Sequence, residues 1–281
     1  MNHKKQYSSK SFAIKRKVHM EIYLKPNNIL IIGGGSGIGY ATAQKCLDTG
    51  VKNIILASRN KDKLIEAKKT LNHAQSQKIH LLEFDIQKVN THCDAILQAQ
   101  KMLGDIDKID GLVISSGVNF DGSNWKGFNI SEEDWDRVMN INLKGVFFLI
   151  RNFSNILIAD KRRGNICVVS SVSARRDLLS VYQISKNSIS RIVHAYGKHL
   201  GEKGIILNAV EPGPTSTDML SSFSNYTDGV RPGKKWTGAS IQRMLRAEEI
   251  AEIIFFLLSN VGEVMAGSCI LAGGGNKEIF P

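Results

Sequence analysis

Short, continuous apolar runs recur along the chain and constrain its fold more than any other feature. They are rich in Ile, Val and Leu and do not alternate with polar residues, as expected of strands covered on both faces. Longer segments with helical periodicity separate the runs; in 247–258 the isoleucines and leucines form one stripe. The predicted strands are 28–33, 53–57, 79–84, 111–114, 165–170, 205–210 and 269–272.

The alternation of these strands with helices predicts the fold class. The predicted helices are 38–48, 61–72, 89–103, 132–158, 181–200 and 247–258. Because consecutive strand–helix units with right-handed crossovers build a parallel sheet, we predict an α/β fold. It would be a single doubly wound Rossmann-type parallel sheet of about seven strands with helices on both faces, formed by residues 26–281.

One long irregular stretch interrupts this pattern at about 213–243. A loop of that length inside a compact domain is usually a lid or a binding loop. Its aromatic residues, Phe223, Tyr226 and Trp236, suggest an apolar wall for a substrate, although packing within the lid would explain them equally well.

The net charge of +11 is concentrated at the N-terminus. Residues 1–25 carry seven Lys or Arg side chains against Glu21 alone, and residues 1–19 have no apolar segment typical of a secretory signal. We expect a solvated, poorly ordered arm, with an organelle transit peptide as an alternative. Nucleic-acid binding is disfavoured because no aromatic-rich basic surface accompanies the arm.

The four cysteines are scattered, and the sequence has no CxxC motif or His/Cys cluster. We therefore expect no metal site, and a reducing compartment such as the cytoplasm. No continuous apolar run reaches the roughly 18 residues that a membrane helix needs, so no membrane span is expected.

A glycine-rich turn follows the first predicted strand and precedes the first predicted helix. Its glycines Gly33, Gly37 and Gly39 follow a G-xxx-G-x-G spacing rather than GxGxxG. Glycines let backbone N–H groups approach a pyrophosphate at a helix N-terminus. The context favours phosphate binding over a merely flexible turn.

A second motif opens the helix that follows the fifth predicted strand. Tyr182 and Lys186 are four positions apart, so they share one helix face about a turn apart. An ammonium near the phenol favours the phenolate and lowers the tyrosine pKa, which suits proton transfer near neutral pH. Ser171 lies at the carboxyl end of the preceding strand, where ligands bind in such sheets. An exposed helical pair is the alternative for the tyrosine and lysine.

Together these motifs resemble the short-chain dehydrogenase/reductase family, including members that reduce 3-oxoacyl groups on acyl carrier protein. The resemblance covers about residues 28–276 and implies a nicotinamide dinucleotide cofactor. Two departures stand out: Ile32 replaces the threonine that opens the glycine motif, and Ile114 and Ser115 replace the two asparagines of the family's Asn-Asn-Ala-Gly, whose glycine is Gly117 here. The resemblance assigns these residues to the cofactor site: Gly33, Ser36, Gly37, Ile38, Gly39, Ser58, Arg59, Asp85, Ile86, Ser116, Gly117, Tyr182, Lys186, Pro212, Gly213, Thr215 and Thr217.

The end of the second strand indicates which dinucleotide is used. Family members specific for NAD carry an acidic residue there. Its carboxylate accepts hydrogen bonds from the ribose hydroxyls and repels a 2′-phosphate. Here Ser58 stands at that position and Arg59 follows it. Because a hydroxyl beside a guanidinium suits a phosphate, NADP(H) is favoured over NAD(H). A solvated Arg59 at a helix start is the alternative.

The resemblance also implies a catalytic tetrad of Asn142, Ser171, Tyr182 and Lys186. Ser171 would hold the substrate carbonyl, Tyr182 would deliver the proton, and Lys186 would bind the nicotinamide ribose and tune Tyr182. Asn142 would hold a water that links Lys186 to solvent. The interval from Ser171 to Tyr182 is short for the family, so the serine role could be shared with Ser170.

The implied activity is an NADPH-dependent interconversion of a carbonyl and a secondary alcohol. The substrate would be a small molecule, or an acyl group on a carrier protein that Arg162 or Arg163 and Lys203 would contact. A solvated basic turn is the alternative for these three residues. The alternative is a non-catalytic dinucleotide-binding regulatory protein on the same fold. The apolar surface of helix 132–158, together with the family resemblance, predicts a homodimer or homotetramer.

Overall fold

The computed structural model describes residues 21–71, 79–119, 130–176, 180–217 and 239–275. Most of the basic arm lies outside these residues. So does the middle of the predicted lid, with Phe223, Tyr226 and Trp236.

The structure confirms the predicted parallel sheet, and the bounds of its seven strands agree with the predicted ones within two residues. The sheet has the order β3-β2-β1-β4-β5-β6-β9, and every neighbouring pair is parallel. The seven strands are β1 (Asn28–Ile32), β2 (Asn53–Ser58), β3 (Ile79–Glu83), β4 (Gly111–Ile114), β5 (Gly164–Val169), β6 (Ile205–Pro212) and β9 (Cys269–Ala272). Two short strands, β7 (Thr215–Ser216) and β8 (Leu245–Arg246), form a separate parallel pair that was not predicted.

Helices cover both faces of the sheet. The helices are α1 (Gly37–Asp48), α2 (Lys61–Thr70), α3 (His92–Met102), α4 (Glu132–Met139), α5 (Val146–Ala159), α6 (Val181–Gly201) and α7 (Ala247–Leu258). Helices α3, α5 and α6 pack on one face, and α1, α2 and α7 pack on the other. Short 3₁₀ helices occur at Val89–Thr91, Val172–Arg175 and Gly262–Met265.

The two hydrophobic cores explain why the strands read as continuous apolar runs. In β1, Leu30 and Ile32 enter the core with α5 and α6, while Ile29 and Ile31 enter the core with α1 and α7. Successive strand residues point to opposite faces, so a strand buried on both sides needs apolar residues at every position. All five residues of β1 are buried.

The predicted helix 132–158 is one continuous helical segment with a change of geometry inside it. A π-helical turn, Asn140–Gly145, joins α4 to α5. The combined segment Glu132–Ala159 is long and apolar enough to cross a membrane by length and composition alone. However, 56% of its apolar window is buried inside the fold, as in the core helix of a soluble protein.

The sheet topology creates a crevice between β1 and β4. The chain runs outward from β1 through β2 to β3, then returns to β4 on the other side of β1. Ligands of open α/β sheets bind at the carboxyl ends of the strands where the strand order reverses in this way. The turns that follow β1 and β4 therefore form the walls of the candidate site.

Candidate active site

The glycine turn lies at the head of the crevice, against the loop that follows β4. Gly33 has φ +83°, and a Cβ added to it would lie 2.9 Å from the backbone nitrogen of Ser116. A Cβ at Gly39 would collide with the carbonyl oxygen of Gly33, so the first turn of α1 can pack on the strand only with glycine there. The turn therefore packs closely against β4 and α1 because it carries no side chain at Gly33 or Gly39.

The departures from the family motif leave this turn intact. Ile32 is buried in the core beside Ile114, with which it pairs across the sheet. The backbone N–H of Ser115 donates to the carbonyl of Ile32 at 2.9 Å. Apolar packing and a backbone hydrogen bond therefore hold the β1 and β4 ends together where the family uses polar side chains.

The other predicted cofactor residues follow β2 and β3 at the same edge. The Ser58 hydroxyl donates to the carbonyl of Asn60 at 3.0 Å, and Arg59 beside it is exposed. Asp85 accepts from the backbone N–H of Gln87 at 3.0 Å, so its carboxylate closes a turn rather than capping a helix. Ile86 is buried in the core.

The chain after β6 crosses in front of the glycine turn. Thr215 is buried, and its hydroxyl donates to the carbonyl of Gly213 at 2.9 Å. A Cβ added to Gly37 would lie 3.1 Å from Cγ2 of Thr217, so the Thr217 side chain covers the start of α1. The β6 end and the glycine turn therefore border the same space. Ser36 precedes α1 as its N-cap residue without a side-chain cap bond, and Ile38 packs toward α7.

Three of the four predicted tetrad residues meet beside Gly117. A Cβ added to Gly117 would lie 3.4 Å from Nζ of Lys186 and 3.5 Å from Oδ1 of Asn142. Lys186 Nζ lies 5.7 Å from the centroid of the Tyr182 ring. The fourth residue joins them because the side chains of Ser171 and Tyr182 are hydrogen-bonded. The structure thus brings all four predicted side chains together.

Asn142 ties three elements to one another. Its Oδ1 accepts from the backbone N–H of Val118 at 2.9 Å, and its Nδ2 donates to the carbonyl of Val118 at 2.8 Å. Nδ2 also lies 3.3 Å from the hydroxyl of Ser185 on α6. Asn142 sits in the π-helical turn, which is a common marker of functional sites in helices.

Ser171 and Ser170 have separate roles. Ser171 caps the 3₁₀ helix, its Oγ accepting from the backbone N–H of Ser173 at 3.1 Å. The hydroxyl of Ser170 instead donates to the carbonyl of Lys186 at 3.1 Å and lies 3.0 Å from the hydroxyl of Ser190. Ser170 is therefore engaged inside the fold, and the expectation that it shares the serine role is not supported by this geometry.

The electrostatics of Tyr182 differ from the prediction. Burial raises the pKa of the phenol above its ordinary value, and the hydrogen bond with Ser171 and the charge of Arg176 act against that rise. The cation that lowers the tyrosine pKa is thus Arg176 rather than Lys186. Burial lowers the pKa of Lys186 from 10.5 to about 8. Its Nζ donates to the carbonyl of Val169 at 3.0 Å.

Sequence reasoning missed Arg175, Arg176 and Glu211. The two arginines fall in the interval between Ser171 and Tyr182, which was considered only for its length. Two consecutive cations between two candidate site residues were the available signal. Glu211 was not singled out, although it is the only buried carboxylate among the described residues.

The residues suggested for carrier-protein docking lie away from these groups. Arg162 donates to the carbonyl of Ile109 at 2.8 Å and pairs with Asp160 at 2.9 Å. Arg163 lies 3.3 Å from Glu263, and Lys203 is exposed before β6. All three precede strands, so within one chain they lie at the opposite edge of the sheet from Ser171.

Within the described residues, no group of three or more His, Cys, Asp or Glu side chains is arranged to hold a metal ion. All four cysteines are free thiols.

Comparisons with known proteins agree with this arrangement. The model of the short chain dehydrogenase family matches residues 27–227. A short-chain dehydrogenase/reductase of Pestalotiopsis microspora is 30% identical, covering 92% of this chain and 98% of its own. A diacetyl reductase ((S)-acetoin forming) of Staphylococcus epidermidis is 26% identical, covering 88% and 96%.

A solved structure also has the same fold. The 3-ketoacyl-(acyl-carrier-protein) reductase of Brucella melitensis, complexed with NADH, superposes with a TM-score of 0.73 at 24% identity, covering 88% of this chain and 97% of that one. The sequence match over most of the chain shows the family, and the superposition shows the fold. This chain therefore belongs to the short-chain dehydrogenase/reductase family of oxidoreductases.

Proposed function

We propose that this protein is an NADPH-dependent oxidoreductase that interconverts a carbonyl group and a secondary alcohol, with Tyr182 as general acid and base. The observation that carries the proposal is the junction of Ser171, Tyr182 and Lys186. The two hydroxyls are hydrogen-bonded, and the buried amine lies 5.7 Å from the phenol ring. This junction lies at the same sheet edge as the glycine turn.

The turns at that edge fit a nicotinamide dinucleotide. The turn at Gly33 and Gly37 has positive φ angles and presents backbone where side chains would block a pyrophosphate. The first turn of α1 carries no acidic residue to repel a phosphate. Thr215 and Thr217 would hold the nicotinamide end, and Asp85 and Ile86 would flank the adenine. When bound, the cofactor supplies or accepts the hydride.

The chain's own residues would manage the oxygen and its proton. Ser171 donates a hydrogen bond to the carbonyl oxygen, which polarises the bond for hydride addition at carbon. Tyr182 gives its phenolic proton to that oxygen, completing the alcohol, and takes a proton back in the reverse direction. Positioned acid catalysis of this kind contributes about 10²- to 10⁴-fold.

Lys186 and Asn142 would return the proton to the phenolate. With a pKa of about 8, the Lys186 amine can both hold and release a proton near neutral pH. Asn142 lies on the same side of Gly117 and is fixed by Val118. Its position beside the amine suits it to hold a water that links Lys186 to solvent.

The preference for NADPH rests on Ser58 and Arg59. No acid stands at the end of β2, and the exposed guanidinium of Arg59 is available to a 2′-phosphate. The Brucella relative complexed with NADH shows that the fold itself accommodates the other cofactor.

The substrate we propose is a small ketone. The relative named as a diacetyl reductase supports this class. A carrier-bound acyl group receives less support, because Arg162, Arg163 and Lys203 lie at the far edge of the sheet from Ser171. Free thiols at all four cysteines fit a reducing compartment, and we propose a cytoplasmic location.

The test is NADPH oxidation with a panel of free ketones, carrier-linked 3-oxoacyl substrates and no substrate. We expect turnover with free ketones and loss of turnover by at least about 100-fold in Tyr182→Phe, since the variant lacks the proton donor. NADPH binding, followed by its fluorescence, should stay within about twofold, because no cofactor-holding turn is changed.

Wild-type turnover in Tyr182→Phe would refute the role of the tyrosine. Tight NADPH binding with no turnover of any carbonyl by the wild-type protein would instead identify the non-catalytic dinucleotide-binding alternative.

A further inference from the structure

An ion pair between a buried carboxylate and a partly exposed arginine lies at the end of the 3₁₀ helix that begins at the proposed catalytic serine. Glu211, near the end of β6, is 1% exposed, and its Oε2 accepts from Nε of Arg175. Arg175 is the last residue of the 3₁₀ helix that Ser171 caps. The second arm of Arg175 donates from Nη2 to the carbonyl of Cys269 on β9 at 3.1 Å. The guanidinium therefore ties the serine's helix to two strands.

The same carboxylate begins a chain of hydrogen bonds that reaches the turn of α6 carrying the lysine. The hydroxyl of Ser190 donates to Oε1 of Glu211 at 2.7 Å and lies 3.0 Å from the hydroxyl of Ser170. Ser170 in turn donates to the carbonyl of Lys186 at 3.1 Å. One buried carboxylate thus connects the Ser171 turn with the backbone of Lys186.

A further contact fixes the 3₁₀ helix on α6. Nδ2 of Asn187 donates to the carbonyl of Ala174 at 2.7 Å. Ser171 itself holds the helix start through the N–H of Ser173. The helix is therefore held at its start by Ser171, near its end by Asn187, and at its last residue by Glu211 and Cys269.

We propose that Glu211 and Arg175 are positioning residues that hold Ser171 in hydrogen-bonding distance of Tyr182. The inference rests on the proposed function, since it concerns the alignment of that reaction's serine and tyrosine. A buried carboxylate is costly unless it is paired and fully hydrogen-bonded, and here all its bonds run to the elements that carry the site. Neither residue needs to touch the substrate.

The test compares Glu211→Gln and Arg175→Gln with the wild-type protein. Each variant should lower kcat for ketone reduction by roughly tenfold while the KM for NADPH stays within about twofold, since a misplaced group slows the reacting step without disturbing the glycine turn. The double variant should lose less activity than the product of the two single losses, because the two residues share one contact. Arg175→Lys should retain more activity than Arg175→Gln.

The pH profile of alcohol oxidation separates positioning from a merely structural role. The hydrogen bond from Ser171 lowers the pKa of Tyr182. Alcohol oxidation needs the Tyr182 phenolate, so loss of that bond should move the rise of activity with pH to higher pH. Arg176 and Lys186 are the other charged groups at the phenol, and neither is changed. Lys52→Gln is the control: it removes an exposed ion pair with Asp107 at the opposite edge of the sheet and should leave kcat and the pH profile unchanged.

The proposal would be overturned if the folded variants had the kcat and the pH profile of the wild-type protein. A lower melting temperature alone would not support it. If Glu211→Gln fails to fold, Ser190→Ala removes one link of the same series of hydrogen bonds. It should lower kcat and shift the pH profile in the same directions as Glu211→Gln, by smaller amounts. An unchanged kcat and pH profile in Ser190→Ala would also overturn the proposal. Failure of the wild-type protein to turn over any carbonyl would refute the proposed function itself and is visible before any variant is made.

Discussion

Burial of Lys186 opposes folding at neutral pH. The residue is 6% exposed, and burial lowers the pKa of its amine from 10.5 to about 8. The unfolded chain takes up this proton below about pH 10.5 and the folded protein only below about pH 8. The folded state therefore bears the full penalty below pH 8, and the penalty disappears as the pH rises toward 10.5. This loss of stability is the consequence of burying an amine that titrates near neutral pH.

Lys186→Met should accordingly stabilise the protein while abolishing turnover. At pH 7 we expect the free energy of unfolding to rise by about 1–3 kcal/mol, the lower part of this range reflecting the lost hydrogen bond to Val169. The gain should shrink steadily between pH 8 and 10, and urea unfolding at pH 7 and pH 10 measures both values. Lys52→Met, at an exposed lysine, should show no such pH dependence. A variant less stable than wild type at pH 7 would contradict the argument.

The choice of cofactor is also decided by single side chains. Ser58→Asp places a carboxylate at the end of β2. There it would repel a 2′-phosphate and accept hydrogen bonds from the ribose hydroxyls of NADH. We expect the ratio of kcat/KM for NADPH over NADH to fall by about 10- to 100-fold, because like charges placed side by side at this partly exposed position cost about 1–3 kcal/mol. Steady-state kinetics with both cofactors provide the measurement.

Two further variants separate the effect of the Ser58 hydroxyl from that of the Arg59 charge on this ratio. Ser58→Ala removes the hydroxyl without adding a charge and should lower the ratio less than Ser58→Asp does. Arg59→Gln should weaken NADPH binding and leave NADH binding as it is. An unchanged ratio in Ser58→Asp would show that the end of β2 does not meet the phosphate.

At the scale of elements, the contact between α1 and β1 depends on one missing side chain. A Cβ at Gly39 would meet the carbonyl oxygen and carbon of Gly33, both of which are rigid backbone atoms. Gly39→Ala must therefore push the first turn of α1 away from the strand. We expect a loss of about 1–3 kcal/mol in stability, typical of overpacking, and NADPH affinity lowered by at least about tenfold.

A matched glycine elsewhere tests whether the close approach is the cause. Gly201 ends α6 with nothing within 4 Å of an added Cβ and without a positive φ angle. Gly201→Ala should be neutral or stabilising by up to about 1 kcal/mol, since alanine is the better helix former. Thermal unfolding and NADPH titration of both variants give the comparison. Equal effects at the two positions would contradict the steric explanation.

Elements were more predictable from the sequence than the site's electrostatics were. The seven strands follow from burial on both faces, which leaves a local signature at every position of a strand such as Asn28–Ile32. The π-helical turn at Asn140–Gly145 could not be predicted, because Asn142 bonds to Val118, which is distant in sequence. The effect of Arg176 on Tyr182 likewise depends on how the interval between Ser171 and Tyr182 folds.

At the scale of the whole molecule, an aromatic surface on α5 and α6 remains without a partner in the described residues. The sheet and its neighbouring helices cover part of the apolar surface of the segment 132–158, since Ile141 and Phe153 are in the core. Phe147 and Phe148 are half-buried, and Phe147 contacts Tyr196 on α6 at a centroid distance of 5.8 Å. Tyr196 is 44% exposed. Two neighbouring helices therefore share an aromatic patch at the surface, with the guanidinium of Arg151 stacked 4.5 Å from the Phe148 ring centroid.

A patch of this kind predicts self-association of the chain. Isologous contact between two copies would bury the aromatic rings of both, which is the commonest way that soluble chains assemble. The wild-type protein should then have about two or four times the chain mass of 31.1 kDa in sedimentation equilibrium. Tyr196→Glu puts a charge in the patch without disturbing a buried side chain, and should move the mass toward that of the single chain.

Ile106→Glu serves as the control because Ile106 is 93% exposed and lies in the turn after α3, away from the patch. It should leave the oligomeric mass unchanged. If the wild-type protein sediments as a single chain at micromolar concentration, the patch is not an interface between copies. If both variants dissociate the assembly, charge in general weakens it, and the α5–α6 surface has no special role. Dissociation by Tyr196→Glu alone places the interface on these two helices, one of which, α6, also carries Tyr182 and Lys186.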